Sequence, residues 1–338
     1  MNTTTNPKAL TMTTLGRLLD REFPPRETLI TPWLRSAESV LLWAATGVGK
    51  SMLVNTLALA VAGGGKVAGW EARTPRKVLL VDGEMHIEDL RNRLKMLAGT
   101  VEGIDLEAAR GNLVVLARQD QGAEVEFPDL ATRDGQDAIM ARAQRMGAEL
   151  VILDNFSTLA EVADENEAAA MNPILSFLMR LKQANVACIL VHHSGKSGDT
   201  YRGSSKLATT FEVILGLRQL SGLAGEGGAA FELRWEKFRG RRTAATRDAE
   251  MKLLTEADET QRWETKPSAS FEMLAVVDAV RLCQYPTQAA VAAALKLTEV
   301  EVSRHKTRAT TTGVISREEW RACLEAAKEN QTPDNNDF

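Results

Sequence analysis

The chain has 338 residues, 44% hydrophobic and 25% charged, proportions that suit a large folded core with a small appendage and exclude a disordered or fibrous polymer. Its net charge of −4 excludes a uniformly basic nucleic-acid binder, so any such contact must come from local basic patches. Three cysteines, Cys188, Cys283 and Cys323, far apart in sequence and without a C-x-x-C pair, argue against a zinc site or a disulfide framework, and no run approaches the length of a membrane span.

Residues 1–36 read as a lead-in segment. Met1-Asn2-Thr3-Thr4-Thr5 lacks the basic-then-apolar layout of a secretory leader, and with the unpaired cysteines this leads us to expect a cytoplasmic protein. A short helix is expected over Thr13 to Arg21, and Pro24-Pro25 forbids its continuation. Ile30-Thr31-Pro32-Trp33-Leu34 then serves either as an apolar clamp on the core or as a cover over a bound base.

The main domain is expected over residues 37–266. It opens on Val40-Leu41-Leu42-Trp43, an apolar run that breaks at Ala44-Ala45-Thr46-Gly47-Val48-Gly49-Lys50-Ser51 and continues into an apolar helix from Met52 to Val61. This reads as a buried strand, a phosphate-cradling loop and a helix N-terminus. Backbone N–H groups of Ala45 to Met52 would face a β-phosphate, Lys50 would bridge the β- and γ-phosphates, and Ser51 would ligate Mg²⁺. Ala44 stands where G-x-x-x-x-G-K-[ST] has its first glycine.

Gly63-Gly64-Gly65 stops that helix, and Trp70 begins a polar connection. Further strands are expected at Arg76–Met85, Asn112–Leu116, Glu149–Asn155 and Val186–His193, with helices near 88–97, 134–146 and 166–183, where Pro173 sits in the first turn or kinks the helix. Continuous apolar strands alternating with helices predict an α/β fold with a mostly parallel sheet covered on both faces. Antiparallel strands are expected at Phe211–Arg218, Ala230–Lys237 and Met251–Leu254.

Polar signals gather at the carboxyl ends of these strands, where ligands of such sheets bind. Asp82 and Asp154 each end one. Asp154 is the better metal-holding acid because its strand is more uniformly apolar, and the residue after it is Asn155, so the base that orients water must come from elsewhere; Glu84 can supply it. The alternative is that Asp82 and Glu84 only cap the next helix. His193 is a candidate γ-phosphate sensor at the end of its strand. The run Lys237-Phe238-Arg239-Gly240-Arg241-Arg242 is either a solvated basic turn or a source of cations for a neighbouring subunit's site.

Composition changes near Lys266. Residues 267–328 read as a helical domain and 329–338 as a disordered tail. Thr287–Leu295 is a short helix, a turn passes through Leu297, and Thr298 and Glu301 form a capping box for a second helix, with Val300 and Val302 as anchors and Arg304 and Arg308 on one face. Gly313-Val314-Ile315 would begin a wing. The pattern resembles a winged helix-turn-helix, which implies contact with duplex DNA through Arg304 and Arg308, or docking of a protein; Lys306 departs from that pattern at a position usually apolar.

Together, Gly47-Val48-Gly49-Lys50-Ser51, Asp82-Gly83-Glu84, Leu153-Asp154-Asn155, His192-His193-Ser194-Gly195-Lys196, Arg202-Gly203-Ser204-Ser205 and Lys237-Phe238-Arg239-Gly240 resemble the RecA-fold ATPases of plasmid RepA-type hexameric replicative helicases and their phage and mobile-element relatives. The resemblance covers about residues 20–255. It implies a RecA-like core, a homo-hexameric ring with ATP and Mg²⁺ between subunits, and unwinding of DNA during replication of a plasmid, phage or mobile element. By the same resemblance Lys50, Glu84 and His193 are catalytic, Asp154 is the Walker B acid, Lys237 and Arg239 reach across the interface, and Lys196 and Arg202 face single-stranded DNA. Glu212 is a second departure, standing where many relatives have Asp or Arg. Two other readings remain: a RecA-fold ATPase that loads or remodels without unwinding, and a DNA-binding regulator controlled by ATP.

Overall fold

The computed structural model describes residues 10–162, 171–194, 209–220, 228–256 and 258–330. Its centre is a sheet of nine strands among the described residues. In chain order these are β3 (Ser39–Ala44), β6 (Val78–Asp82), β7 (Leu113–Ala117), β8 (Leu150–Asp154), β9 (Ala187–His193), β10 (Val213–Gln219), β11 (Ala230–Phe238), β12 (Ala249–Thr255) and β13 (Gln261–Pro267), after the two-residue β2 (Leu34–Arg35) and β1 (Thr28–Ile30), and with the hairpin β4 (Gly65–Val67) and β5 (Trp70–Ala72) outside the sheet. The spatial order is β13-β12-β11-β10-β3-β9-β8-β6-β7. From β10 to β7 every neighbouring pair is parallel; β11 to β13 add an antiparallel extension.

Strands β3, β6 and β8 are buried at every residue, which is why they read as unbroken apolar runs without alternation. One face is covered by α2 (Lys50–Gly63), α3 (Ile87–Ala98) and α4 (Leu106–Asn112), the other by α5 (Arg133–Met146), the single turn α6 (Phe156–Leu159) and α7 (Asn172–Gln183). Pro173 lies in the first turn of α7, where its missing N–H leaves no helical bond unmade. The α/β class with a mostly parallel sheet covered on both faces, expected from the sequence, is present. Among the described residues no helix is long and apolar enough to cross a membrane.

Three details differ from expectation. The strand at 211–218 pairs antiparallel with β11, as expected, but on its other edge it is parallel to β3. Glu212, just before β10, joins the start of that strand to the start of β3: its carboxylate accepts from Ser39 N at 2.8 Å and from Lys182 Nζ at 2.7 Å. Second, the expected boundary at 266/267 falls inside β13, a strand that alternating charge (Arg262, Glu264, Lys266) concealed. Third, the polar connection at Trp70 is the β4–β5 hairpin, held by edge-on packing of Trp70 against Trp33 and Trp235 at 5.4 and 6.1 Å. That cluster makes the lead-in from Leu29 to Leu34 an apolar clamp. The helix expected over 13–21 is the single stretch α1 (Leu15–Leu19), no residue of which is buried.

Beyond β13 four helices, α8 (Ala269–Arg281), α9 (Gln288–Leu295), α10 (Glu299–Thr311) and α11 (Arg317–Glu329), enclose a core of their own around Val276, Val277, Val291, Val302, Ile315 and Trp320. The Thr298–Glu301 capping box forms, Glu301 accepting from Thr298 N at 2.7 Å. No wing forms among the described residues: Ile315 turns into the core, and Ser316 caps α11 through Glu319 N. Val300 does not anchor α10; it is 69% exposed, while Val302, His305 and Ala309, at helical spacing, face inward. Lys306 lies over the Trp320 ring at 5.4 Å, which lets a charged residue occupy that place.

Candidate functional site

The site forms where β3, β8, β6 and β9 end side by side. β9 lies between β3 and β8, and Asp82 and Asp154 are register partners on β6 and β8. The turn after β3 is permitted by glycine at two places. Gly47 and Gly49 have φ of 82° and 121°, and a Cβ at Gly49 would come within 2.6 Å of the Ala229 Cβ. Gly49 also leaves α2 without a side-chain cap, so the first N–H groups of this 14-residue helix face the cleft. Thr46, Gly47, Gly49, Lys50, Ser51, Met52, Glu84, Asn155 and His193 line that cleft together.

Lys50 folds back onto its own loop. Its Nζ donates to Ala44 O at 3.0 Å and Ala45 O at 2.9 Å, and lies 3.2 Å from His193 Nδ1. Thr46 Oγ1 lies 3.3 Å from the same ring nitrogen, so His193 bridges loop and lysine. Burial pulls the Lys50 ammonium down to about 8, against the opposing pull of Asp154 and Glu84. His192, one residue earlier, is fully buried and stacks edge-on against Phe156 at 5.0 Å. Alternation along β9 thus sends one histidine into the core and the other to the cleft.

The two acids have different tasks. Asp82 Oδ1 accepts from Glu84 N at 3.0 Å and Met85 N at 2.7 Å, shaping the turn that carries Glu84; burial pushes its carboxyl up. The capping alternative describes Asp82, although the cap it makes is of the turn, and His86 caps α3 itself. Glu84 is exposed at the cleft, and its Oε2 accepts from Asn155 Nδ2 at 2.7 Å. Asp154 is buried beside Ser51 and is pushed by burial to about 6.

Ser51 and Asp154 fit a divalent cation. Asp154 Oδ2 is buried and has no hydrogen-bond partner among the described residues, and the carboxylate lies beside the hydroxyl of Ser51. A hard cation with oxygen ligands completes such a pair, and Mg²⁺ characteristically takes few protein ligands and the rest from water and phosphate. Among the described residues no group of three or more His, Cys, Asp or Glu could form a cage by itself.

The remaining expected residues lie elsewhere. Because β11 is antiparallel, Lys237 and Arg239 lie at the sheet end opposite the phosphate loop: Lys237 pairs with Ile214, and Arg239 follows the last residue of β11. Arg239 donates to Thr209 O at 2.7 Å and approaches Glu212 at 3.7 Å. Burial and neighbouring Arg239 lower the Lys237 ammonium. Arg304 and Arg308 are exposed on α10, and Arg308 donates to Ser270 Oγ at 3.1 Å. Lys196 and Arg202 lie outside the described residues.

Two polar cleft residues escaped the sequence reading. Asn155 drew notice only for not being glutamate, yet it is the residue that holds Glu84. Arg93, on α3, lines the cleft beside Glu84; nothing in the sequence separates it from the other charges of an amphipathic helix.

A family profile described as an AAA domain matches residues 4–199, more than half of the chain. Among solved structures, a KaiC-like protein from the hyperthermophilic archaeon Pyrococcus horikoshii OT3 aligns over 72% of this chain and 99% of its own, at 14% identity and a TM-score of 0.49. Curated proteins compared by sequence give no match.

Proposed function

The chain belongs to the AAA-domain family and is a nucleotide-dependent ATPase of that kind; on this premise we propose that it hydrolyses ATP to move along single-stranded DNA as a homo-oligomeric ring, a helicase serving replication of a plasmid, phage or mobile element. The observation that carries the catalytic part is the convergence of Lys50, Ser51, Asp154, Glu84 and His193 from four strand ends onto one cleft. Lys50 leaves its two backbone carbonyls to hold the β- and γ-phosphates. Ser51 and Asp154 would hold Mg²⁺, which would neutralise charge on the phosphoryl oxygens. Glu84, steered by Asn155, orients water for attack, and His193 links the phosphate loop to β9, so loss of the γ-phosphate can be felt along that strand.

The ring is supported by the placement of Lys237 and Arg239. Both lie at the sheet end away from the chain's own phosphate loop, so they can serve a nucleotide only in another subunit. The DNA assignment rests on the resemblance through Lys196 and Arg202, with Arg304 and Arg308 of the helical unit as contacts for duplex DNA or a docking protein.

The test is steady-state ATP hydrolysis with and without single-stranded DNA, Lys50→Ala serving as the blank. The expected result is several-fold stimulation that Lys50→Ala abolishes, together with ATP-dependent unwinding of a forked duplex. Stimulation without unwinding would leave a loader or remodeller; turnover indifferent to DNA would favour a regulator in which ATP controls DNA binding.

A further inference from the structure

The sequence separates Cys283 from Cys323 by forty positions, and the fold brings them together. Cys283 follows the end of α8 with a φ of 50°, and this left-handed turn aims its side chain back at the helix end, where Sγ donates to Arg281 O at 3.5 Å. Cys323 lies on α11, which packs against α8. The Cys283 thiol is close enough to Cys323 to raise it. One turn before Cys323, Glu319 accepts from Arg281 Nε at 2.8 Å, and the same guanidinium donates to Val314 O at 2.9 Å. These bonds hold the end of α8 against the start of α11, so the sulfurs meet between braced elements. Both cysteines are partly exposed, whereas Cys188 is fully buried in the sheet.

We propose that Cys283 and Cys323 form a dithiol modification site that a hydroperoxide oxidises to an intramolecular disulfide. One thiolate attacks the peroxide oxygen, the O–O bond breaks, an alcohol (water, from hydrogen peroxide) leaves, and a sulfenic acid forms. The second sulfur then displaces the hydroxyl as water, and the S–S bond closes. Two thiols are oxidised, and one hydroperoxide is reduced to alcohol and water. Cys283 is the sulfur that attacks the peroxide, because burial and the neighbouring thiol raise Cys323 and keep it protonated. The product ties α8 to α11 across a loop of about 40 residues, a length at which a cross-link strongly restricts the unfolded chain. Neither cysteine lines the nucleotide cleft, and the chemistry is independent of the ATPase reading.

The test uses the full chain treated with hydrogen peroxide at a few molar equivalents, alkylated with iodoacetamide and digested with trypsin without reduction. The expected product is residues 282–296 joined to residues 322–328, 2 Da lighter than the sum of the two peptides, with Cys188 recovered as an unoxidised thiol. Dithiothreitol should separate the pair, Cys283→Ser should leave Cys323 alkylated, and Cys188→Ser should leave the link unchanged. In guanidinium the preference for this pairing should disappear. Recovery of both peptides alkylated after native treatment would overturn the proposal, as would pairing of Cys283 with Cys188 or with a second chain as often as with Cys323.

Discussion

Asp154→Asn separates stability from activity at one buried carboxylate. Burial raises the folded-state pKa from 3.8 to about 6, so the ionised side chain costs the protein without nucleotide about 3 kcal/mol at pH 7. Asparagine removes that charge and keeps an oxygen for the Ser51 hydroxyl. Its amide nitrogen inherits the place of Oδ2, which has no hydrogen-bond partner among the described residues, at a cost of about 1–2 kcal/mol. The variant should therefore be more stable than the parent by about 1–2 kcal/mol in EDTA at pH 7, a melting increase of about 2–8 °C for a domain of this size. The pH dependence has a definite sign. A carboxyl with a raised folded pKa contributes no penalty below about 4, and its penalty grows as pH rises to about 6 and is constant above. Melts from pH 4.5 to 8 should show the advantage of the variant growing to about pH 6 and then levelling. Adding Mg²⁺ and ATP should stabilise the parent and much less the variant, whose turnover is lost. A variant less stable than the parent at pH 7 in EDTA, or an advantage independent of pH, would refute the reasoning.

Asn155→Ala removes the donor that holds Glu84 Oε2 at 2.7 Å and should lower kcat about 10- to 100-fold with little change in KM for ATP, because phosphate and metal contacts stay intact; steady-state kinetics across ATP concentrations check this, and a change confined to KM would place Asn155 in binding. Mixing Arg239→Ala subunits, complete in their own phosphate loop, with Lys50→Ala subunits, which keep the arginine, should recover part of the hydrolysis that neither shows alone. No recovery would remove Arg239 from a neighbour's site and leave it with its local contacts to Thr209 and Glu212.

Much of this molecule is written locally. The unbroken apolar runs of β3, β6, β8 and β9 announce strands buried on both faces, and the glycines at 47 and 49 followed by Lys50 and Ser51 announce a phosphate loop, because each signal depends on neighbours within a few residues. The capping box at Thr298 and Glu301 is legible for the same reason. Strands whose partners are distant were harder to read. β13 carries alternating charge and is a strand only because β12 supplies its hydrogen bonds, and the start of β10 is joined to β3 by Glu212 meeting Ser39, 173 positions away.

What tertiary structure alone decides is which side chains meet. Asn155 reaches Glu84 across 71 positions, His193 reaches Lys50 across 143, and Cys283 meets Cys323 only because α8 packs against α11. The sequence by itself determines that a phosphate loop and two strand-terminal acids exist, since backbone conformation and apolar periodicity are local properties. The division of labour between the acids comes from the fold: it turns Asp82 toward its own backbone and leaves one oxygen of Asp154 buried beside Ser51 and without a partner among the described residues. Burial and hydrogen-bond partnership are properties of the packed whole, and no window of the sequence contains them.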